Sequence, residues 1–153
     1  MATKQTKPRS QPRKRVAAII AALAFAATPA VARAAETFTV RLTPVPIDAQ
    51  TRAQVTGSGA ATAVLDGRSL AVTGSFAGLK TAATIARLHE GRATGVRGPG
   101  IVDFTVPAAS SGDFTLQLQL SPQQLQSLRQ GRLYIQIHSD GAPDGNLWGW
   151  LLQ

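Results

Sequence analysis

The chain has 153 residues, enough for one ordinary domain and hardly two, and its 16 Lys and Arg against 8 Asp and Glu give a formal charge of +8. Seven of the basic side chains and none of the acids lie in residues 1–34, so residues 35–153 carry nine basic and eight acidic groups, and this near-neutral remainder has no basic groove pattern for nucleic acid. The absence of cysteine excludes a disulfide framework, a thiolate metal site and a cysteine nucleophile, and His89 and His138 are the only histidines.

In chain order, a basic stretch (Lys4, Lys7, Arg9, Arg13, Lys14, Arg15) runs into twelve apolar residues, 16–27. That run is too short for a bilayer core of about 30 Å. It is followed by Ala30-Val31-Ala32 and Ala32-Arg33-Ala34, either of which offers the small-x-small pattern of a signal-peptidase site. The favoured reading is a signal peptide over residues 1–34, cleaved after Ala34, with a single domain over 35–153; an uncleaved N-terminal anchor is the alternative. No adjacent arginine pair marks a twin-arginine signal, so the chain is expected to leave by general secretion, for the periplasm or the medium. The missing cysteines do not oppose export, because about 119 residues bury roughly two thirds of their surface without cross-links.

Beyond residue 35 the pattern has period two, which places alternate side chains on one face of a strand. It predicts strands at 37–42, 60–65, 70–76, 83–89, 101–106, 114–120, 133–138 and 147–152. Asp66-Gly67 between the second and third reads as a hairpin turn. In the sixth, Phe114, Leu116, Leu118 and Leu120 face the core while Thr115, Gln117 and Gln119 face outward; in the seventh, Leu133, Ile135 and Ile137 point in, and Tyr134, Gln136 and His138 share the other face. One short helix or turn near 121–130 is expected, with Ser121 as cap, Pro122 in the first turn, Gln124 closing a capping box and Gly131 ending it. Eight short strands at this spacing indicate an all-β, antiparallel Greek-key sandwich or barrel.

Phe76-Ala-Gly-Leu79, residues 83–91, Gly95-Val-Arg-Gly-Pro99, Leu128 to Gly131, residues 134–138 and Pro143-Asp-Gly145 occur in an order and spacing that resemble the CHRD domain, the module named for chordin and found alone in many bacterial secreted proteins. The resemblance covers residues 38–152. It implies a Greek-key β-sandwich, immunoglobulin-like or with a general shape similar to copper–zinc superoxide dismutase, and it brings architecture and location rather than a substrate. Departures are specific: Arg87-Leu88-His89 stands where the family often has His-x-His, Trp148 where it often has Arg, and Pro44-Val-Pro46 in place of Glu-Val-Pro-Pro.

His-x-His on a strand puts two imidazoles on one face, a geometry suited to copper or zinc. With Arg87 in the first position, a guanidinium that cannot ligate and repels cations, no metal is favoured; His89 and His138 are the remaining weak candidates, and copper or zinc is the alternative. The favoured reading makes both histidines hydrogen-bonded strand-end residues that fix the adjacent loops. No nucleophile elbow, phosphate loop or paired-carboxylate site is present, so no catalytic residue is assigned; Asp140 and Asp144 flank a turn over 141–143. Trp148 and Trp150 share a strand face, either sealing the end of the core or offering an aromatic platform to a sugar or protein. Arg87, Arg92 and Arg97 suit a small anion. The expected binding surface is therefore Arg87, His89, Arg92, Arg97, Tyr134, His138, Asp140, Trp148 and Trp150. The functional reading is a non-enzymatic envelope binding module whose partner is a protein, a glycan or a small anionic ligand, with a copper- or zinc-binding superoxide-dismutase-like domain as the alternative.

Overall fold

The computed structural model describes residues 1–3 and 34–153. The leader, its apolar run and the cleavage site up to Arg33 lie outside the described residues. All eight expected strands are present: β1 (Glu36–Pro44), β2 (Ser58–Asp66), β3 (Ser69–Ala77), β4 (Ala83–Glu90), β5 (Gly100–Phe104), β6 (Gly112–Gln119), β7 (Leu133–Ser139) and β8 (Ala142–Trp150), with one helix, α1 (Pro122–Arg129), between β6 and β7.

The strands form one antiparallel sheet in the order β5-β4-β7-β8-β1-β2-β3-β6. Its two four-stranded halves join through a short β1–β8 ladder, Thr43 opposite Trp148 and Pro44 opposite Leu147. The ends of the sheet, β5 and β6, meet through the rings of Phe104 and Phe114, 5.7 Å between centroids. The result is a nearly closed barrel, joined by hydrogen bonds on one side and by side chains on the other. β6 lies beside β3 rather than β7, and β4 beside β7, which is Greek-key order.

Inside lies one apolar core. Phe38, Val40 and Leu42 from β1, Leu70, Val72 and Phe76 from β3, Phe114 and Leu116 from β6 and Leu133, Ile135 and Ile137 from β7 fill it. Leu118 is only half-buried against this core, because β6 is an edge strand. Gly74 sits opposite Phe114, and a methyl group there would meet both that ring and Ala61.

Local signals determine the connections. In the β2–β3 hairpin Asp66 pairs with Ser69, so the two-residue loop is Gly67-Arg68; Gly67 alone takes positive φ (60°), the pattern of a type II′ turn. Ser121 caps α1, accepting from the Gln124 N–H at 3.1 Å while the Gln124 side chain accepts from the Ser121 N–H at 2.8 Å. Gly131, at φ 64°, donates to the Leu128 carbonyl and ends the helix.

The last strand departs from expectation. The turn is Asp140-Gly141, and β8 begins at Ala142, five residues earlier than the alternation suggests, and ends at Trp150. A register shift between Ile137 and Ser139 accommodates Pro143, which has no N–H to give to a ladder. β5 likewise spans 100–104 rather than 101–106, although Val106 remains in the core.

Two substitutions gauge the core packing and the helix cap. Phe114→Ala opens the core at the seam and is expected to cost about 3–5 kcal/mol in chemical denaturation. Ser121→Ala removes only a cap and is expected to cost about 1 kcal/mol.

Candidate functional site

β7 is buried on both faces. Leu133, Ile135 and Ile137 face the core, while Tyr134 (1% exposed), Gln136 (2%) and His138 (8%) lie on the outer face and are nevertheless covered. Neighbouring strands supply the cover. His89 of β4 is opposite Tyr134, Arg87 opposite Gln136, and on the other side Trp148 and Trp150 of β8 are opposite Gln136 and Tyr134. The loop over residues 91–99 forms a roof on this face, and the segment over 45–57 covers its β8 side.

Polar groups under such a roof need partners inside the protein. The Tyr134 hydroxyl donates to the Gly98 carbonyl and accepts from the Gly98 N–H, at 3.3 and 3.2 Å. The Gln136 amide donates to the Asp144 carbonyl at 2.7 Å. Asn146 of β8 holds the 45–57 segment, donating to the Thr56 carbonyl at 2.8 Å. His89 Nδ1 lies 3.0 Å from the Gly98 carbonyl and His138 Nδ1 lies 2.8 Å from the Pro143 carbonyl. A carbonyl oxygen can only accept, so in each neutral ring Nδ1 carries the proton and Nε2 the lone pair.

Neither Nε2 has a partner. Both are sealed from solvent, and the other buried side-chain atoms without a hydrogen bond among the described residues are Arg132 Nε and Ser139 Oγ. The two imidazole centroids are 6.3 Å apart with planes tilted by 30°. His89 also stacks on Tyr134 at 4.7 Å, and Tyr134 packs on Trp150 at 4.4 Å, so the rings stand in an aromatic frame. Burial pushes the His89 pKa down, against the Gly98 hydrogen bond, with a smaller push in the same direction from His138 and Arg87.

Arg87 has a partner that sequence reading did not supply. Its guanidinium grips Asp103, directly opposite on β5, through Nε and, at 2.8 Å, through Nη2. The pair is more than a third exposed on each side, and Arg87 holds the Asp103 carboxyl below its ordinary value. This revises the expected electrostatics: the Arg87 charge is paired with Asp103, so it does not stand free for an anion, and only a part of its repulsion reaches His89.

The remaining candidates divide. Arg97 reaches across the face, with its Nη1 3.3 Å from the Asp144 carbonyl and its guanidinium carbon 5.7 Å from the Trp148 ring centroid. Arg92 is exposed on the roof loop, and Asp140 is exposed in the β7–β8 turn. Neither contributes a contact to the imidazole pair. Trp148 and Trp150 are half-buried on the outer face, 5.9 Å apart, and Trp148 packs with Val45, Val55 and Ala142 outside the main core. They do not seal the barrel end, because both point away from its interior.

The CHRD domain family model matches residues 38–151. The chain belongs to the CHRD domain family. No curated protein and no solved structure matches it. In this CHRD domain no group of three or more His, Asp or Glu side chains is placed to hold a metal among the described residues, so the histidines are a pair of donors and not a tetrahedral set.

Several site groups escape sequence reading because they are main-chain atoms. The Gly98 and Pro143 carbonyls fix the two rings, and only the glycine leaves a trace: a methyl group at Gly98 would collide with the Glu90 carbonyl. Gly98→Ala is therefore expected to lift the roof of the CHRD domain from His89 and Tyr134 and to lower stability by about 1–3 kcal/mol in chemical denaturation.

The depressed His89 pKa has a definite sign in stability. The unfolded chain binds the proton more readily, so the protein should lose stability as pH falls below about 6.5 toward the depressed folded-state value, by up to about 1.4 kcal/mol per pH unit for this one proton. Chemical denaturation between pH 8 and pH 5 checks this, and the dependence should flatten in His89→Asn.

Proposed function

We propose that this CHRD domain is an exported, non-enzymatic binding module of the cell envelope, and that it binds at the outer face of β4 and β7. The observation that carries the reading is the pair of buried imidazoles with unpartnered Nε2 atoms. A buried polar atom without a partner costs about 1–3 kcal/mol, so a face that holds two of them is arranged for an occupant rather than for stability. The support is a rigid β scaffold, as binding sites commonly have, with loops closing over one face.

A binding role rather than a catalytic one is supported by what the rings already do. Each Nδ1 is committed to a main-chain carbonyl, and the Ser139 hydroxyl, next to His138 in the chain, makes no hydrogen bond to either ring. The chemistry of the occupant follows from the lone pairs: two Nε2 atoms accept, so they favour a group that donates a hydrogen bond or accepts an electron pair. A carboxylate or phosphate, which brings only further lone pairs, fits them poorly, and Arg87 is already paired. The same pair of imidazoles favours the metal-binding alternative over the anionic one. A protein or glycan contact on half-exposed Trp148 and Trp150 is compatible with the same face.

Export is motivated by the basic and apolar leader. Cell fractionation with N-terminal sequencing tests it: the protein is expected outside the cytoplasm, beginning at Ala35 or within a few residues of it, and His89→Asn should be exported at the same level. Cytoplasmic protein with intact Met1 would overturn the exported-module reading.

A further inference from the structure

We propose that His89 Nε2 and His138 Nε2 together bind one monovalent closed-shell d10 cation of the copper(I) and silver(I) class. This rests on the binding-module reading and names its ligand.

Four observations converge. Both imidazoles are more than nine-tenths buried, and both Nε2 atoms are without partners. Both rings are held through Nδ1–H by main-chain carbonyls, the arrangement that fixes a ligating histidine with Nε2 presented to a metal. The centroids are 6.3 Å apart. One ion shared between two imidazoles gives roughly 6 Å, from about 2 Å of metal–nitrogen bond on each side plus the radius of each ring. The frame is also prepared in advance: Tyr134 stacks on His89 and is itself tied to Gly98 at both its donor and its acceptor, so ring and roof loop are held together.

The donor count selects the charge. Zinc(II) in a structural site takes four ligands, and among the described residues no third His, Asp or Glu joins the pair. The nearest matched charges, Arg87 and Asp103, cancel one another, so no free carboxylate offsets a second positive charge under the roof. A monovalent ion loses far less hydration than a divalent one, because the cost of burying charge rises with its square. The filled d shell that copper(I) and silver(I) share with zinc(II) imposes no geometry of its own, and it is their single charge that lets two nitrogen donors in line suffice. The ion enters by displacing nothing from the protein: Nε2 is deprotonated in the neutral ring, and no bond to either atom has to break.

Calorimetric titration tests the proposal on purified protein freed of metal with a chelator, whichever cell fraction supplies it. Silver(I), added as the nitrate in chloride-free buffer, is the first probe; copper(I), kept reduced without oxygen and in competition with a chromogenic chelator, is the second. One ion per chain is expected for each. His89→Asn and His138→Asn keep a side-chain amide near the Nδ1 position and remove Nε2. Each should weaken binding by at least about 100-fold, beyond the 10–100-fold cost of outer-shell changes, with an unchanged far-ultraviolet spectrum. Crystals soaked in silver(I) should show one anomalous peak between the two rings, a readout independent of the variants. Absence of stoichiometric binding, binding that survives either substitution, or displacement of silver(I) by equimolar zinc(II) would overturn the site. That failure in an exported protein leaves the module reading intact with another ligand, whereas cytoplasmic protein that binds silver(I) removes export and keeps the site.

Discussion

Burial of β7 on both faces is the constraint from which the rest of the structure follows. An edge or half-exposed strand could leave Tyr134, Gln136 and His138 to water. Here they sit under a roof, so each polar atom must find a partner within the fold or go without. The inner face solves its problem with aliphatic side chains that fill the barrel. The outer face solves most of its own with main-chain atoms: Gly98 serves Tyr134 and His89, Pro143 serves His138, and Asp144 serves Gln136. What is left over is the pair of Nε2 lone pairs.

The roof is built from residues whose backbone, rather than side chain, matters. Gly98 brings its carbonyl close because a side chain there would strike Glu90. Pro143, unable to donate to the ladder, sits beside a register shift that leaves its carbonyl available to an imidazole. Charged groups stay at the rim. Arg87 and Asp103 pair across β4 and β5, and Arg97 lies over Trp148, so the charged groups near the imidazoles have partners of their own. Low polarity also explains the depressed proton affinity of His89: the same burial that disfavours the imidazolium keeps the lone pair available.

Much of the fold was legible because its signals are local. Two-residue alternation marked the inward faces of β3, β6 and β7, and Ser121, Pro122, Gln124 and Gly131 marked both ends of α1. The start of β8 was not legible, since Pro143 and two aspartates imitate a turn and only the pairing with β7 draws them into a strand. His89 and His138 come together through the β4–β7 pairing, and the state of their nitrogens was not legible, because Gly98 and Pro143 contribute carbonyls that any residue possesses. Arg87 shows the opposite failure: read alone it is a free cation, and only the β4–β5 register, shifted at Leu88, reveals Asp103 opposite it. The tryptophans were read as part of the core or as a platform, whereas the second layer over the outer face gives them an intermediate place that one strand's pattern does not encode.

Both histidines keep an unpartnered Nε2 lone pair buried under the roof. Long-range proton–nitrogen correlation of the imidazoles in metal-free protein at pH 8 tests it most directly. Both rings are expected as the Nδ1–H tautomer, with Nε2 shifts of an unprotonated, weakly hydrogen-bonded nitrogen. An Nε2–H tautomer at either ring, or two rings exchanging tautomers as free imidazole does in water, would contradict it.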